Sequence, residues 1–242
     1  MIHRGWIMFQ ETYQIEFPDV DFMGNVKADV LFSKMSIVAT KDAYQEHLYT
    51  DEMRGHYGWI VAKQSLIFQK PIRLDDTLTI RTDSHHSHPV IFPRSYQLIV
   101  GDEVVARGYS IWTLIDLKNR RIIRPKSLGL IVPEKDKMKE EPTTLFESKD
   151  VAFDRCIPVV YSDLDTNGHM NNTRYIAHAF DLLDMDYIKE HLCTKIEINY
   201  KKEVHYGSHL NLYHVMHDDC FHVEGYVDDE IRFIIEMTMK KI

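Results

Sequence analysis

The sequence has little cysteine: three residues in 242, Cys156, Cys193 and Cys220, all in the second half. An odd number without a C-x-x-C pair excludes a disulfide framework and a thiolate metal centre, and it fits a reduced compartment. No apolar run approaches the roughly 20 residues that cross a bilayer, so no membrane span is expected. Met1 to Phe9 has neither the apolar stretch nor the small-residue cleavage site of a signal peptide. A cytoplasmic location is the expectation. Nor is there an excess of positive charge. The formal net charge is −8, which argues against a nucleic-acid partner and means that an acidic protein partner needs a local basic patch.

What is present is a bulky apolar inventory. Eleven Met, 11 Phe and 13 Tyr suit a core that contains a slot for a greasy ligand.

The chain also repeats itself, and repeats decide architecture before anything else. Asp19-Val-Asp21-Phe-Met-Gly24-Asn25-Val26 returns 144 positions later as Asp163-Leu-Asp165-Thr-Asn167-Gly168-His169-Met170. Each copy follows a short alternating run (Tyr13, Ile15, Phe17; Ile157, Val159, Tyr161) and precedes a helical pattern. Leu31, Met35, Val38, Ala39 and Ala43 share one helical face; Ile176, Ala179, Phe180, Leu183 and Tyr187 share another. Asn172 or Thr173 is the expected N-cap of the second helix. Strand patterns follow over 60–68, 77–82, 95–100 and 104–117, then over 195–204, 209–216, 221–227 and 231–239. Pro158 marks the first strand of the second copy as an edge strand.

Strand, long helix, then several antiparallel strands, twice over, predicts an α+β chain of two tandem hot-dog units, each a helix wrapped by a sheet. The expected division is 1–125 and 151–242, joined over 126–150 by a surface linker that holds Pro133, Pro142 and the charged run 134–141.

The segment 163–175 brings together a carboxylate, a carboxamide and an imidazole at alternate positions, Asp165, Asn167 and His169, on a loop entering a helix. Asp, Asn and Gly before a helix serve turns and caps equally well. The internal comparison separates the two uses. The first copy keeps Asp19, Asp21 and Gly24 but has Met23 for Asn167 and Asn25 for His169. A second alignment sets Tyr200-Lys-Lys-Glu203-Val204 beside Phe68-Gln-Lys-Pro71-Ile72, so Glu203 too occurs in one copy alone. Turns explain what is shared; they do not explain the difference. A helix N-terminus beside these groups would offer N–H donors to a developing oxyanion.

Asp165-x-Asn167-x-His169-x-Asn171-Asn172-x-x-Tyr175, with Tyr200-x-x-Glu203, resembles the signature of acyl-carrier-protein (ACP) thioesterases. Tyr109-Ser-Ile-Trp112 through Arg120-Arg121-x-x-Arg124-Pro125 resembles a further stretch of that family. The likeness covers nearly the whole chain. It implies hydrolysis of fatty acyl-ACP to free fatty acid and holo-ACP, which ends fatty acid synthesis, with no metal or cofactor. It implies Asp165, Asn167, His169 and Glu203 as the catalytic set and an acyl tunnel lined largely by the first half. Gly168, Asn171, Asn172, Tyr175 and Trp112 are the expected substrate contacts. Many plant members carry a cysteine after the glutamate; this chain has Val204, so a thiolate nucleophile is not expected. Asp165 is left as either a second base or a nucleophile that forms a mixed anhydride.

Coenzyme A thioesterases share the Asp165, Gly168, His169 frame. Enoyl-thioester hydratases use a loop one residue longer, and a non-catalytic acyl-binding module would leave the one-sided Asn, His and Glu unexplained. Lys118, Arg120, Arg121, Arg124, Lys126, Lys201 and Lys202 are candidates for contact with an acidic carrier, and two chains could associate as a homodimer. His85-His86-Ser-His88 reads as a solvated loop before a metal site. Met23, Phe32 and Met35 are the first candidates for closing the tunnel.

Overall fold

The computed structural model describes residues 8–85, 88–132, 136–138 and 140–242. Residues 1–7, His86, Ser87, Pro133 and part of the charged run 134–141 lie outside the described residues. The first half contains β1 (Phe9–Gln14), α1 (Ala28–Gln45), β2 (Tyr57–Phe68), β3 (Thr77–Ser84), β4 (Phe92–Val100), β5 (Glu103–Asp116) and the short β6 (Arg121–Ile122). The second contains β7 (Ala152–Pro158), α2 (Asn172–Phe180), α3 (Met185–Glu190), β8 (His191–Tyr200), β9 (His209–His217), β10 (Cys220–Val227) and β11 (Glu230–Lys241).

The strands form one antiparallel sheet in the order β1-β3-β4-β5-β2-β8-β11-β10-β9-β7, with β6 paired to β5. Read from either edge, each half runs first, third, fourth, fifth, second. The halves meet where β2 pairs with β8, and the centre of that pairing is Ser65 opposite Glu197. These two residues are equivalent under the offset that aligns Phe68 with Tyr200, so an internal two-fold axis passes between them.

Alternation of apolar residues puts Leu78, Ile80 and Thr82 of β3, and Leu210 and Leu212 of β9, on the buried face. Helix α1 buries Leu31, Phe32, Met35 and Val38 completely. It reaches the sheet closely because residue 108 is glycine: a Cβ there would lie 2.5 Å from the Met35 methyl. Helix α2 packs on α1 and on β11 and buries Tyr175, Ile176 and Ala179. The core therefore runs unbroken through both halves.

Several expectations need correction. The second helical pattern is two helices. Chain 181–184 turns, and Asp184 caps α3 by accepting from the Asp186 amide at 2.7 Å, so Leu183 and Tyr187 do not share a helix with Ile176. The cap of α2 is Asn171, which accepts from the Thr173 amide at 3.0 Å, one residue earlier than expected. Strand β8 begins at His191 and ends at Tyr200, leaving Glu203 in the turn beyond it. The exposed Phe17 and Tyr161 end both opening runs in short 3-10 turns. Pro158 does lie on an edge strand.

The described part of the connecting segment is no loose surface chain. Thr143 and Leu145 amides donate to Glu197 and Asn199 of β8, each at 2.9 Å, and the Ser148 amide donates to Glu224 of β10 at 2.6 Å. All three acceptors are buried. Buried polar side chains thus pin this strap across the sheet and find their hydrogen-bond donors in its backbone amides. Among the described residues no helix is long and apolar enough to cross a membrane.

Candidate active site

The two repeated loops have the same backbone. Asp165 accepts from the Asn167 and His169 amides at 2.8 and 3.2 Å; Asp21 accepts from the Met23 and Asn25 amides at 2.9 and 3.0 Å. Gly168 and Gly24 both take φ +77°, a left-handed turn that favours glycine. Asp163 is buried and receives the Arg174 guanidinium at 2.9 Å. Burial opposes its charge, but the Val160 amide and Arg174 outweigh it and hold the carboxyl below its usual range.

Onto this common loop the second half adds its own side chains. His169 Nε2 lies 3.5 Å from Glu203 Oε2. The two are brought together because Met170 donates to the Val204 carbonyl at 2.8 Å, and His169 bridges to His205. The His169 and His205 rings meet edge to face with centroids 4.7 Å apart. Glu203 is held from the other side by Arg120, which follows β5 in the first half and pairs with the same Oε2.

A cavity of about 720 Å³ opens at this point. Asn167, His169, Glu203 and Arg120 stand in its wall together with Trp59 and Trp112 of the first half. It runs beside α1, where Ala39 and Ala43 leave room, and past the buried Arg94–Asp42 ion pair at 2.5 Å. Trp59 is fixed by donating to the Leu48 carbonyl at 2.9 Å and packs edge-on against Phe92; Trp112 donates to Ser110 at 2.6 Å.

Of the expected residues, the fold joins Asn167, His169, Glu203 and Trp112 in one wall. Asp165 stands behind them. One of its oxygens takes the two loop amides and the other takes the Asn167 amide group at 3.4 Å, and it does not line the cavity. Gly168, Asn171, Asn172 and Tyr175 do not line it either. Asn171 is a cap, Asn172 gives its carbonyl to the Tyr200 hydroxyl at 3.1 Å, and Tyr175 is buried against Tyr200 and Phe233. The amides leading into the helix are already committed: those of Gly168, His169, Met170, Asn171 and Thr173 each bond within the fold. From this loop the Asn167 side chain, which stands in the wall, can donate to a carbonyl in the cavity. Phe32 and Met35 are core and Met23 lines a different cavity, so none of the three closes this one.

Two residues belong here that sequence reasoning placed elsewhere or passed over. Arg120 stood among candidates for carrier contact. His205 could have been found by the same comparison that found Glu203, since the first half has Arg73 at its place in the same backbone bridge. Among the described residues, His169, Glu203 and His205 are the cluster whose ligand atoms lie within 4.8 Å, though Arg120 already gives Glu203 a positive partner. His85 bonds Ser95 at 2.8 Å and the Asp136 carbonyl at 3.1 Å. Cys193 is away from this cavity, and desolvation pushes its thiol up to about 12.

Comparison with known proteins follows the same outline. The family model of the acyl-ACP thioesterase N-terminal domain matches residues 7–126, and that of the C-terminal domain matches residues 146–236. An acyl-ACP thioesterase from Bacteroides thetaiotaomicron superimposes with a TM-score of 0.83 at 19% identity, over 96% of this chain and 97% of that one. A 12:0-ACP thioesterase from Umbellularia californica gives 0.85 at 17% identity, over 97% and 98%. At these identities the structures speak for a shared fold. No curated protein matches by sequence. The two family models together span most of the chain, which belongs to the acyl-ACP thioesterase family and is a hydrolase of acyl-ACP thioesters.

Proposed function

We propose that hydrolysis takes place at the His169–Glu203 pair, with the acyl chain in the cavity beside α1 and the thioester carbonyl against Asn167. One observation carries this reading: a single cavity is walled by apolar residues of the first half and by Asn167, His169 and Glu203 of the second. Nε2 of His169 faces Glu203, which leaves Nδ1 to take a proton from water as it attacks the carbonyl. The Glu203 carboxylate stabilises the imidazolium so formed. Asn167 donates to the oxyanion. Collapse expels the carrier's thiolate, a good leaving group that needs no strong acid. Asp165 acts as a positioning residue that holds Asn167 and His169, and the products are free fatty acid and holo-ACP.

In this reading residues 1–125 house the acyl chain, 151–242 supply the chemistry, and 126–150 join them. The equal strand order on both sides of β2–β8 supports two hot-dog units. Exposed Lys118, Arg121 and Arg124 adjoin Arg120 at the cavity and give a chain of net charge −8 a basic face for an acidic carrier. Free cysteines suit the cytoplasm.

The test is turnover of acyl-ACP and acyl-coenzyme A thioesters of graded length by the native chain, His169→Ala and Glu203→Gln. Both variants should lose roughly 10²–10⁴-fold in kcat while melting near the native temperature. Full activity in Glu203→Gln would remove the pair from the mechanism, and preference for the coenzyme A thioester would overturn the carrier-docking part.

A further inference from the structure

The internal two-fold that relates the sheets also relates two cavities. The second, of about 580 Å³, lies between the first-half loop and α2, α3 and β8. Its wall has Met23, Asn25 and Pro71 where the first cavity has Asn167, His169 and Glu203. Met239 faces it from opposite Cys193, just as Trp112 faces the first from opposite Val61. Both cavities are therefore built from one plan, and both fall in the size range of small-molecule sites.

We propose that this second cavity binds the hydrocarbon chain of a free fatty acid, the product of the reaction, and does not cleave a thioester. The inference rests on the reading that the first cavity takes the acyl chain. Phe68, Phe180, Leu183 and Ile188 supply apolar wall. Lys27, Lys70 and Arg174 share the lining with Asp21, Asp29 and Asp181, and Lys70 and Arg174 already pair with Glu103 and Asp163, so the hold on the ligand comes from its hydrocarbon chain. Asn25 and Pro71 supply neither a base nor a carboxylate to orient one. A chain can be held there, and no proton can be drawn from water by the residues that stand for His169 and Glu203. The slot is common to both copies, while the residues able to do the chemistry stand in one.

The experiment is photolabelling of the native full-length protein with a medium-chain fatty acid that carries a terminal diazirine, followed by peptide mapping. Two sets of adducts are expected, one in 39–60 and one in 177–194, and unlabelled fatty acid should compete both away. Ala177→Trp should abolish the second set and keep the first; Ala43→Trp should do the reverse. Adducts in the first set alone overturn the second site and leave the acyl cavity standing. Adducts in neither set overturn both. Because the native protein gives the decisive map, misfolding of either variant does not rescue the proposal.

Discussion

Arg120 and Glu203 form an ion pair between the two halves of the chain, and the oxygen that joins them is the one His169 faces at 3.5 Å. One half thus supplies a charge to the other's candidate active site. A pair this exposed contributes only about 0–1 kcal/mol to stability. Arg120→Ala should therefore melt within a few degrees of the native protein. Its kcat should fall about tenfold, because the carboxylate that orients His169 loses its tether. Arg121→Ala, which removes a neighbouring charge without touching Glu203, should raise KM for the carrier-linked substrate and spare kcat. Steady-state kinetics on both variants check this; equal kcat loss in the two would deny Arg120 a specific place.

Chain-length preference should answer to α1 and not to the core. Ala43 lines the cavity, so Ala43→Phe should shift preference toward shorter acyl chains, each excluded methylene being worth about 1–3 kcal/mol. Phe32→Ala should cost about 3–5 kcal/mol of stability with no change in preference, since Phe32 is wholly buried outside that wall. Product profiles and melts distinguish them.

Asp165 and Asp21 hold equivalent turns through equivalent bonds. Replacing either by Ala should cost a similar amount of stability, about 1–2 kcal/mol. Single-turnover hydrolysis in heavy-oxygen water should leave the Asp165 carboxylate unlabelled. Label there would restore the mixed-anhydride route.

His222 is buried with Nε2 2.8 Å from Glu224 and Nδ1 3.2 Å from Glu236. Burial disfavours its charge, but the hydrogen bonds to Glu236 and Glu224 prevail and raise the imidazole above its ordinary value. A raised folded value means stability that is complete below the unfolded value of about 6.5 and is lost as pH rises through the folded one. Thermal melts across that window should fall with pH in the native chain and flatten in His222→Gln. The same Glu224 accepts the Ser148 amide, so the strap should loosen to hydrogen exchange over the same window.

Much of this was legible in the sequence because it is local or internal to the repeat. Alternation located the strands, and comparison of the copies separated Asn167, His169 and Glu203 from the Asp and Gly that the turn itself requires. What depends on distant partners was not legible. Nothing near Arg120 announces that it reaches Glu203, 83 positions away. Nor does the run 134–148, rich in charge, announce that buried Glu197, Asn199 and Glu224 receive its amides. The helix N-terminus looked like an oxyanion site because its amides were counted as free; folding had already given them to Asp165, Asp163 and Val204.

The self-pairing of Ser65 with Glu197 at the axis has a consequence for how the molecule could specialise. Two identical subunits meeting through such a strand would oblige every copy to serve both as lining and as chemistry. Covalent fusion guarantees that each molecule contains one of each, in fixed proportion and at no cost of association. Mutations that would poison a symmetric assembly would be harmless in an arm that supplies no chemistry.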